Sequence, residues 1–347
     1  MRIGFDASPL AGEFSPGVAR VAREILARLE ARGVIDVVRF QPPPGVRARE
    51  FRKELPALAR SAGVQGLHVF ASFGPKLKGL PVALTVHELP WLHGVTENAG
   101  WKHRLAARAS ARRAERLIVP TEFVAADLRS LVGRRADRIR VVAWGFGPPF
   151  DVEPPPGTVD ESMLERYRLS SEPFLLAPGA TRRKKRLDRV LHGLARSVER
   201  LDEPLSLVVT GPSTKDLERD LGLASQLGLS RWVSTLGDVP DDDLAALMRL
   251  AVGVPVLSES EGFALPVLEA LACGTPVIVP HGSAQAEVAG TNALLVDPDR
   301  PDELADAFAK ARRERERQRY PLAASVSHRT WDATAEAIEA VWKELVG

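Results

Sequence analysis

Short continuous apolar runs alternate with longer stretches of helical periodicity along most of this chain. That alternation constrains the fold more than any other feature. The apolar runs fall at residues 3–5, 66–70, 82–86, 117–119, 139–142, 174–177, 205–209, 254–257 and 277–279. Most lack a polar residue at every second position, so both faces of each strand need covering, as in a parallel sheet with helices on either side. Helical patterns fill the intervals, among them residues 18–29, 187–199, 242–250 and 302–312. Such alternation specifies α/β domains with parallel sheets.

A length of 347 residues exceeds one ordinary domain and suits two, each with its own core. The break is expected at residues 148–158, a polar stretch with five prolines, because proline removes donors and favours extended backbone. This gives domains at 1–150 and 151–328. In the remaining segment, 329–347, Trp331, Ala335, Ile338, Val341, Trp342 and Leu345 recur on one helical face. Apolar residues make up 45% and charged residues 27%, which excludes a disordered chain, and a net charge of +2 gives no global argument for a nucleic-acid partner. Cys273 is the only cysteine, so no intrachain disulfide and no cysteine-based metal site is expected, and it reads as a small buried side chain. His93 and His103 show no metal-ligand spacing, and no metal site is assigned. The sequence opens in a strand-like run without a signal peptide, and no run approaches the roughly 18 to 20 apolar residues of a membrane span, so a cytoplasmic location is expected.

The most informative stretch is 254–280, which reads as strand, loop, short helix, turn and strand. Pro266 suits the first turn of the helix and Gly274 the position just past its end. The loop before the helix then aims free N–H groups and the positive end of the helix dipole at an anion, with phosphate well matched. Glu261 lies in that loop and Glu269 lies eight residues on, within the helix. Carboxylates grip vicinal diols well; each glutamate alone would read as an ordinary surface charge.

Together, Glu261-Gly262-Phe263-x-Leu265-Pro266-x-Leu268-Glu269-Ala270 and Gly274-Thr275-Pro276-Val277 resemble the signature of glycosyltransferase family 4, retaining enzymes of the GT-B fold. Ala264 departs from the pattern, which has a second glycine there, although alanine is expected to sit easily at such a position. Residues 179–187, with Arg182, Arg183, Lys184, Lys185 and Arg186, resemble the family's strand–loop–helix element that opens the second domain. A paired basic dipeptide there neutralises the donor diphosphate, and Lys184 and Lys185 fall on its positions. Out of context the same run reads as a solvated basic patch. Residues 235–244 resemble the loop whose backbone contacts the base, at Val239, with Asp241 or Asp242 read as a cap for the next helix. Residues 286–290 and 295–298 look like scaffold.

In the first half, His87 ends a strand, where parallel sheets present ligand-contacting residues. By resemblance it would contact the transferred sugar, although Glu88 follows where the family has aspartate. Gly17, read as lying in the loop after the first strand, resembles the glycine that lets backbone approach the diphosphate. The match covers nearly the whole chain, most strongly 174–310 and most weakly 30–65. It implies two Rossmann-like domains with parallel sheets facing a central cleft and a final helix crossing back toward the first domain.

The resemblance further implies a retaining transfer of a hexose, with a lean to mannose, from a nucleotide-diphosphate sugar to a glycan or lipid-linked acceptor. Glu261, Lys185 and His87 would carry the chemistry. Gly17, Lys184, Lys185, Val239, Glu261, Gly262, Phe263, Ala264, Leu265 and Glu269 would bind the donor, with no cofactor and no metal. A nucleotide-sugar epimerase or hydrolase on the same fold and a silent nucleotide-sugar binder stay open as alternatives. Arg104, Arg108, Arg112 and Arg116 recur every four residues, with Lys102 and Arg113 nearby. They read either as a solvated helix flank or as a weak peripheral contact with anionic lipid.

Overall fold

The computed structural model describes residues 1–12, 14–75, 79–95, 100–154, 160–200 and 205–347. It divides into one unit of Met1–Gly145 with Arg329–Gly347 and a second of Phe146–His328. Both are parallel α/β structures.

In the first unit, β1 (Arg2–Asp6), β2 (Asp36–Phe40), β3 (Gly66–Val69), β4 (Val82–Thr85), β5 (Arg116–Val119) and β6 (Ile139–Val141) form one sheet in the order 2-1-3-4-5-6. Every pairing is parallel. Strands β3 and β4 are buried along their whole length, which is why they lack the alternation of a strand with one wet face; His68 and Thr85 are their buried polar residues. Edge strand β2, by contrast, exposes Asp36 and Arg39 and carries no such run.

The helix Trp331–Val346 belongs to this first unit. Trp342 is fully buried and packs edge-on against Phe5 and His68. Its Nε1–H donates to His68 Nδ1 at 3.3 Å, which leaves His68 Nε2 to donate to Thr85 Oγ1 at 2.7 Å. Burial, with the neighbouring His87, pushes His68 down to about 3, so this ring is neutral. Arg32 at the end of helix Pro16–Arg32 reaches Glu339 at 2.9 Å and Glu336 at 2.9 Å, fixing the far side of the same helix.

The second unit contains β7 (Phe174–Ala177), β8 (Ser206–Val209), β9 (Val233–Thr235), β10 (Val254–Pro255), β11 (Val277–Pro280) and β12 (Ala293–Val296). They pair as 7-8-9 and 10-11-12. A parallel bridge between Leu175 and Gly253 joins the two groups, with Val252 N–H donating to Phe174 O and Leu176 N–H to Gly253 O. The full order is therefore 9-8-7-10-11-12. The chain reverses direction of progress between β7 and β10, the switch point at which open α/β sheets bind ligands. Gly253 permits that junction, since a Cβ there would meet Ala311, Ile278 and Leu175 side chains at 3.1–3.4 Å.

The proline-rich stretch is no free spacer where it is described. Arg249, buried and paired with Asp160, also donates to the carbonyls of Pro149 and Asp151, and Arg319 donates to Val152 O. Residues 155–158 of the expected linker lie outside the described residues. The helix expected at 302–312 runs much further, as Pro301–Val326, through a charged and mostly part-exposed middle.

Candidate active site

The loops that follow β7 and β10 meet at the switch point. After β7 the chain turns at Gly179 (φ +62°) and enters a single tight turn, Arg183–Lys185, before the helix Leu187–Arg200. Glu259 N–H donates to Lys184 O at 2.9 Å, which ties this loop to the one after β10. From the other side, buried Gln285 donates through Nε2 to Ser258 O at 3.0 Å. Arg186, in a left-handed conformation, reaches Asp188 at 3.0 Å and Glu259 at 2.7 Å. These bonds fix where the two lysines and Glu261 stand.

Lys185 Nζ lies 2.5 Å from Glu261 Oε1. Lys184 is 7% exposed. Burial alone would raise the Glu261 carboxyl, but the charges of Lys185 and Lys184 reverse that and hold it at about 2. Glu261 is therefore ionised at any working pH. Gly262 and Phe263 continue the loop into the helix Leu265–Ala272, with Pro266 in its first turn and Gly274 (φ +75°) past its end. Glu269 is 4% exposed, so it is not the solvated helix charge that its position alone would allow. The sequence-assigned set Lys184, Lys185, Glu261, Gly262, Phe263, Ala264, Leu265 and Glu269 thus occupies two adjoining loops and the short helix that follows.

Ala264 corrects one expectation. Its φ of +63° and ψ of +72° place it in the left-handed region, where a Cβ crowds the next carbonyl. Alanine does not sit easily there; it is held by the burial of Phe263 and Leu265 on either side. Replacing Ala264 by glycine is expected to raise the stability of this unit by about 1 kcal/mol, less glycine's own entropy. Chemical denaturation gives the comparison, and a loss of stability would show that the methyl contact outweighs the strain.

The base-loop region also differs from expectation. The helix Asp241–Leu250 has Pro240 at its N-cap and no side-chain capping bond. Asp241, Asp242 and Asp243 sit in the first turn, where negative charge complements the helix dipole. Asp243 is buried and holds Arg166 at 2.9 Å together with the Tyr167 hydroxyl. Val239 is half-buried in the connection from β9, beside Gly237 (φ +71°), whose carbonyl accepts from Gly211 N–H at 2.7 Å.

In the first unit, His87 follows β4 and packs against Phe70 at 4.8 Å and Trp144 at 6.0 Å. Its Nε2 is buried and has no hydrogen-bond partner among the described residues. Burial, and then the charge of Arg52, push it down to about 4, so the ring is neutral near pH 7. Arg52 itself is 5% exposed, bonded to Asp6 at 2.8 Å and Ser8 Oγ at 2.8 Å, with Phe14 and Phe73 stacked on its guanidinium. Gly17 is not in a loop: it lies in the first turn of Pro16–Arg32, after the Ser15 cap, with nothing within 4 Å of where a Cβ would be. Of the arginine stripe, Arg116 falls in β5 and pairs with Glu344, so only Arg104, Arg108 and Arg112 share the helix Trp101–Arg113.

Sequence reasoning passed over Arg52, Asp6 and Gln285. Gln285 adjoins a stretch read as scaffold, and Arg52 lies in the least family-like part of the chain; neither carries a motif.

Two Rossmann-like units, with cations and loop backbone gathered at the switch point of the second, place the chain in the doubly wound α/β class, whose sheets bind ligands at that point. Residues 161–324 match the model of glycosyl transferases group 1, and residues 16–146 match that of glycosyltransferase family 4. D-inositol 3-phosphate glycosyltransferase of Corynebacterium jeikeium is 31% identical over 287 residues, 74% of this chain and 67% of that protein. The enzyme of the same name in Frankia alni is 35% identical over 237 residues, 64% of this chain and 57% of that protein. Among solved structures, sucrose-phosphate synthase from Thermosynechococcus elongatus aligns with a TM-score of 0.80 at 19% identity over 99% of both chains. Anabaena HepE in complex with UDP-glucose aligns with a TM-score of 0.76 at 17% identity over 99% of this chain and 100% of that one. The chain belongs to glycosyltransferase family 4 and is a glycosyltransferase of the GT-B fold.

Proposed function

We propose that this enzyme transfers a hexose, with mannose the favoured candidate, from a nucleotide-diphosphate sugar to a glycan or lipid-linked acceptor, with retention and without a metal ion. The observation that carries the reading is the placement of Lys184, Lys185 and Glu261 together at the switch point of the second unit. Lys184 and Lys185 would hold the diphosphate and stabilise it as it leaves, supplying the positive charge that other transferases take from a metal. Glu261 with the Gly262–Leu265 backbone would take the sugar, Glu269 the ribose and the Val239 loop the base. His87, neutral and with an unpartnered Nε2, would accept or donate a hydrogen bond to the transferred sugar, and Gly17 would admit the diphosphate. In the same-face mechanism that the family implies, the departing phosphate takes the acceptor proton, so no separate base residue is named.

The lean to mannose is supported by two relatives' names. Residues matching the MMP α-(1→4)-mannosyltransferase of Mycolicibacterium hassiacum are 35% identical over 133 positions, 36% of this chain and 31% of that protein. The serotype-specific mannosyltransferase WbdA of Escherichia coli is 27% identical over 238, 67% of this chain and 29% of that protein. The Anabaena complex with UDP-glucose supports a nucleotide-sugar donor in the wider sense.

Glu269→Ala is expected to weaken the donor and the free nucleoside diphosphate alike by about tenfold, since both contain the ribose. Calorimetry that found nucleoside-diphosphate affinity intact would remove Glu269 from the ribose. Transfer that vanished with EDTA and returned with magnesium would overturn the metal-free reading. For the lipid-linked acceptor, the helix Trp101–Arg113 exposes Arg104, Arg108 and Arg112 with Trp101 (68%) and Leu105 (57%), so its outer face is less polar than the arginine spacing alone implies. Weak, salt-sensitive cosedimentation with anionic vesicles is expected, and equal recovery with neutral vesicles would exclude this helix as a membrane contact.

A further inference from the structure

Lys185 and Glu261 have separate tasks in the proposed reaction, one on the diphosphate and the other on the sugar, yet in this structure each is the other's partner. Their side chains are 18% and 12% exposed and meet at 2.5 Å. Neighbouring cations do not offer a simple substitute. Arg186 is committed to Asp188 and Glu259, while Lys184 adds its charge to Glu261 beside the hydrogen bond that Lys185 makes.

Building on the donor chemistry proposed above, we infer that the Lys185–Glu261 ion pair discriminates the intact nucleotide sugar from the nucleoside diphosphate left after transfer. A bare nucleoside diphosphate draws Lys185 toward phosphate and leaves a nearly buried carboxylate with a shared cation, the Ser258 hydroxyl and no sugar hydroxyl to bond. Such a group is unfavourable to leave uncompensated. The intact donor satisfies both partners at once, with phosphate oxygens on Lys185 and sugar hydroxyls on Glu261. Once the sugar has moved to the acceptor, the carboxylate competes for the lysine again and weakens the hold on the product. Glu261 is thus a specificity-determining residue that favours loading of donor and release of product, beyond its contact with the sugar.

The test is calorimetric titration of UDP, GDP, ADP and dTDP into the full chain and into Glu261→Gln, Lys185→Met and the double variant. Glutamine keeps the side-chain volume, and thermal melting of each variant confirms that it is folded. Glu261→Gln is expected to bind the cognate nucleoside diphosphate about tenfold more tightly while losing sugar transfer. In the Lys185→Met background that gain should shrink to within about twofold, because residues acting as a pair are not additive. Equal or weaker affinity in Glu261→Gln would overturn the inference. So would a gain that persisted in full without Lys185, which would reduce Glu261 to simple repulsion of phosphate. Failure of all four nucleoside diphosphates to bind the wild-type chain would instead remove the donor reading and this inference with it.

Discussion

Lys185→Ala is expected to lower kcat/KM for transfer by about 10- to 150-fold, the factor that follows from losing one hydrogen bond of roughly 1.5–3 kcal/mol to a charged phosphate. The side chain is placed for that bond: it follows the turn Arg183–Lys185 and lies against Glu261, at the C-terminal end of β7. Its loss also leaves Glu261 without its closest cation, so part of the effect could arise from a disturbed loop rather than a missing phosphate contact. Lys185→Arg separates the two, since it restores charge beside Glu261 but changes the reach and geometry of the donor. Partial recovery in arginine with a melting temperature like that of wild type would assign the loss to phosphate. Kinetics like wild type in Lys185→Ala would take this residue out of the site.

The largest effect on stability is expected at Gly145. A Cβ there would lie 2.2 Å from the Thr330 carbonyl carbon, 2.3 Å from Trp331 N and 2.4 Å from Thr330 O. These are backbone atoms at the start of the helix Trp331–Val346, capped by Thr330, and backbone cannot rotate away as a side chain can. Thr334 Oγ1, one turn on, donates to Ala143 O at 2.9 Å and holds the same two segments together. Gly145→Ala must push them apart, at about 3 kcal/mol or more, near the upper end for overpacking. In a unit of this size that corresponds to a melting temperature lower by about 6–12 °C. The loss should appear in the unit that contains Trp342, whose fluorescence reports on it. An unchanged melting temperature would mean that the two segments separate without resistance.

What could be read from sequence depended on burial. Interior strands such as β3, β4 and β7 are covered on both faces and announce themselves as apolar runs. Strands β2 and β9 escaped because they are sheet edges, with exposed polar residues such as Asp36 and Thr235 breaking the pattern, whereas β12 is apolar throughout and was read only as scaffold. The helix Pro301–Val326 outran its expected end because Arg312–Arg319 is too charged to show an apolar stripe, while Leu322 and Val326 bury again beyond it.

Each of the two loops that form the candidate site in the second unit was legible as a motif, because the residues within it lie close in sequence and in a fixed order. Lys184 and Lys185 follow a strand, and Glu261 precedes a proline-started helix by a few residues. The pairing of Lys185 with Glu261 was not legible, since 76 residues separate them. Nor were the buried Arg52–Asp6 bond, across 46 residues, and the Trp342–His68 bond, across 274. Long-range partners of single polar residues leave no periodicity. Backbone strain at Ala264 is likewise invisible until φ is known.

The donor site is tested most directly by measuring the thermal stability of the wild-type chain and of a Lys184→Ala/Lys185→Ala variant against GDP-, UDP-, ADP- and dTDP-sugars. A cognate donor at 100 times its dissociation constant should add about 2.7 kcal/mol to the wild type, seen as a clear rise in melting temperature. The double variant should melt below wild type without ligand, because Glu261 is left without both cations, and should lose most of that rise relative to its own ligand-free value. An equal rise in both proteins, or none with any of the four nucleotide sugars, would contradict a diphosphate site at the β7–β10 switch point.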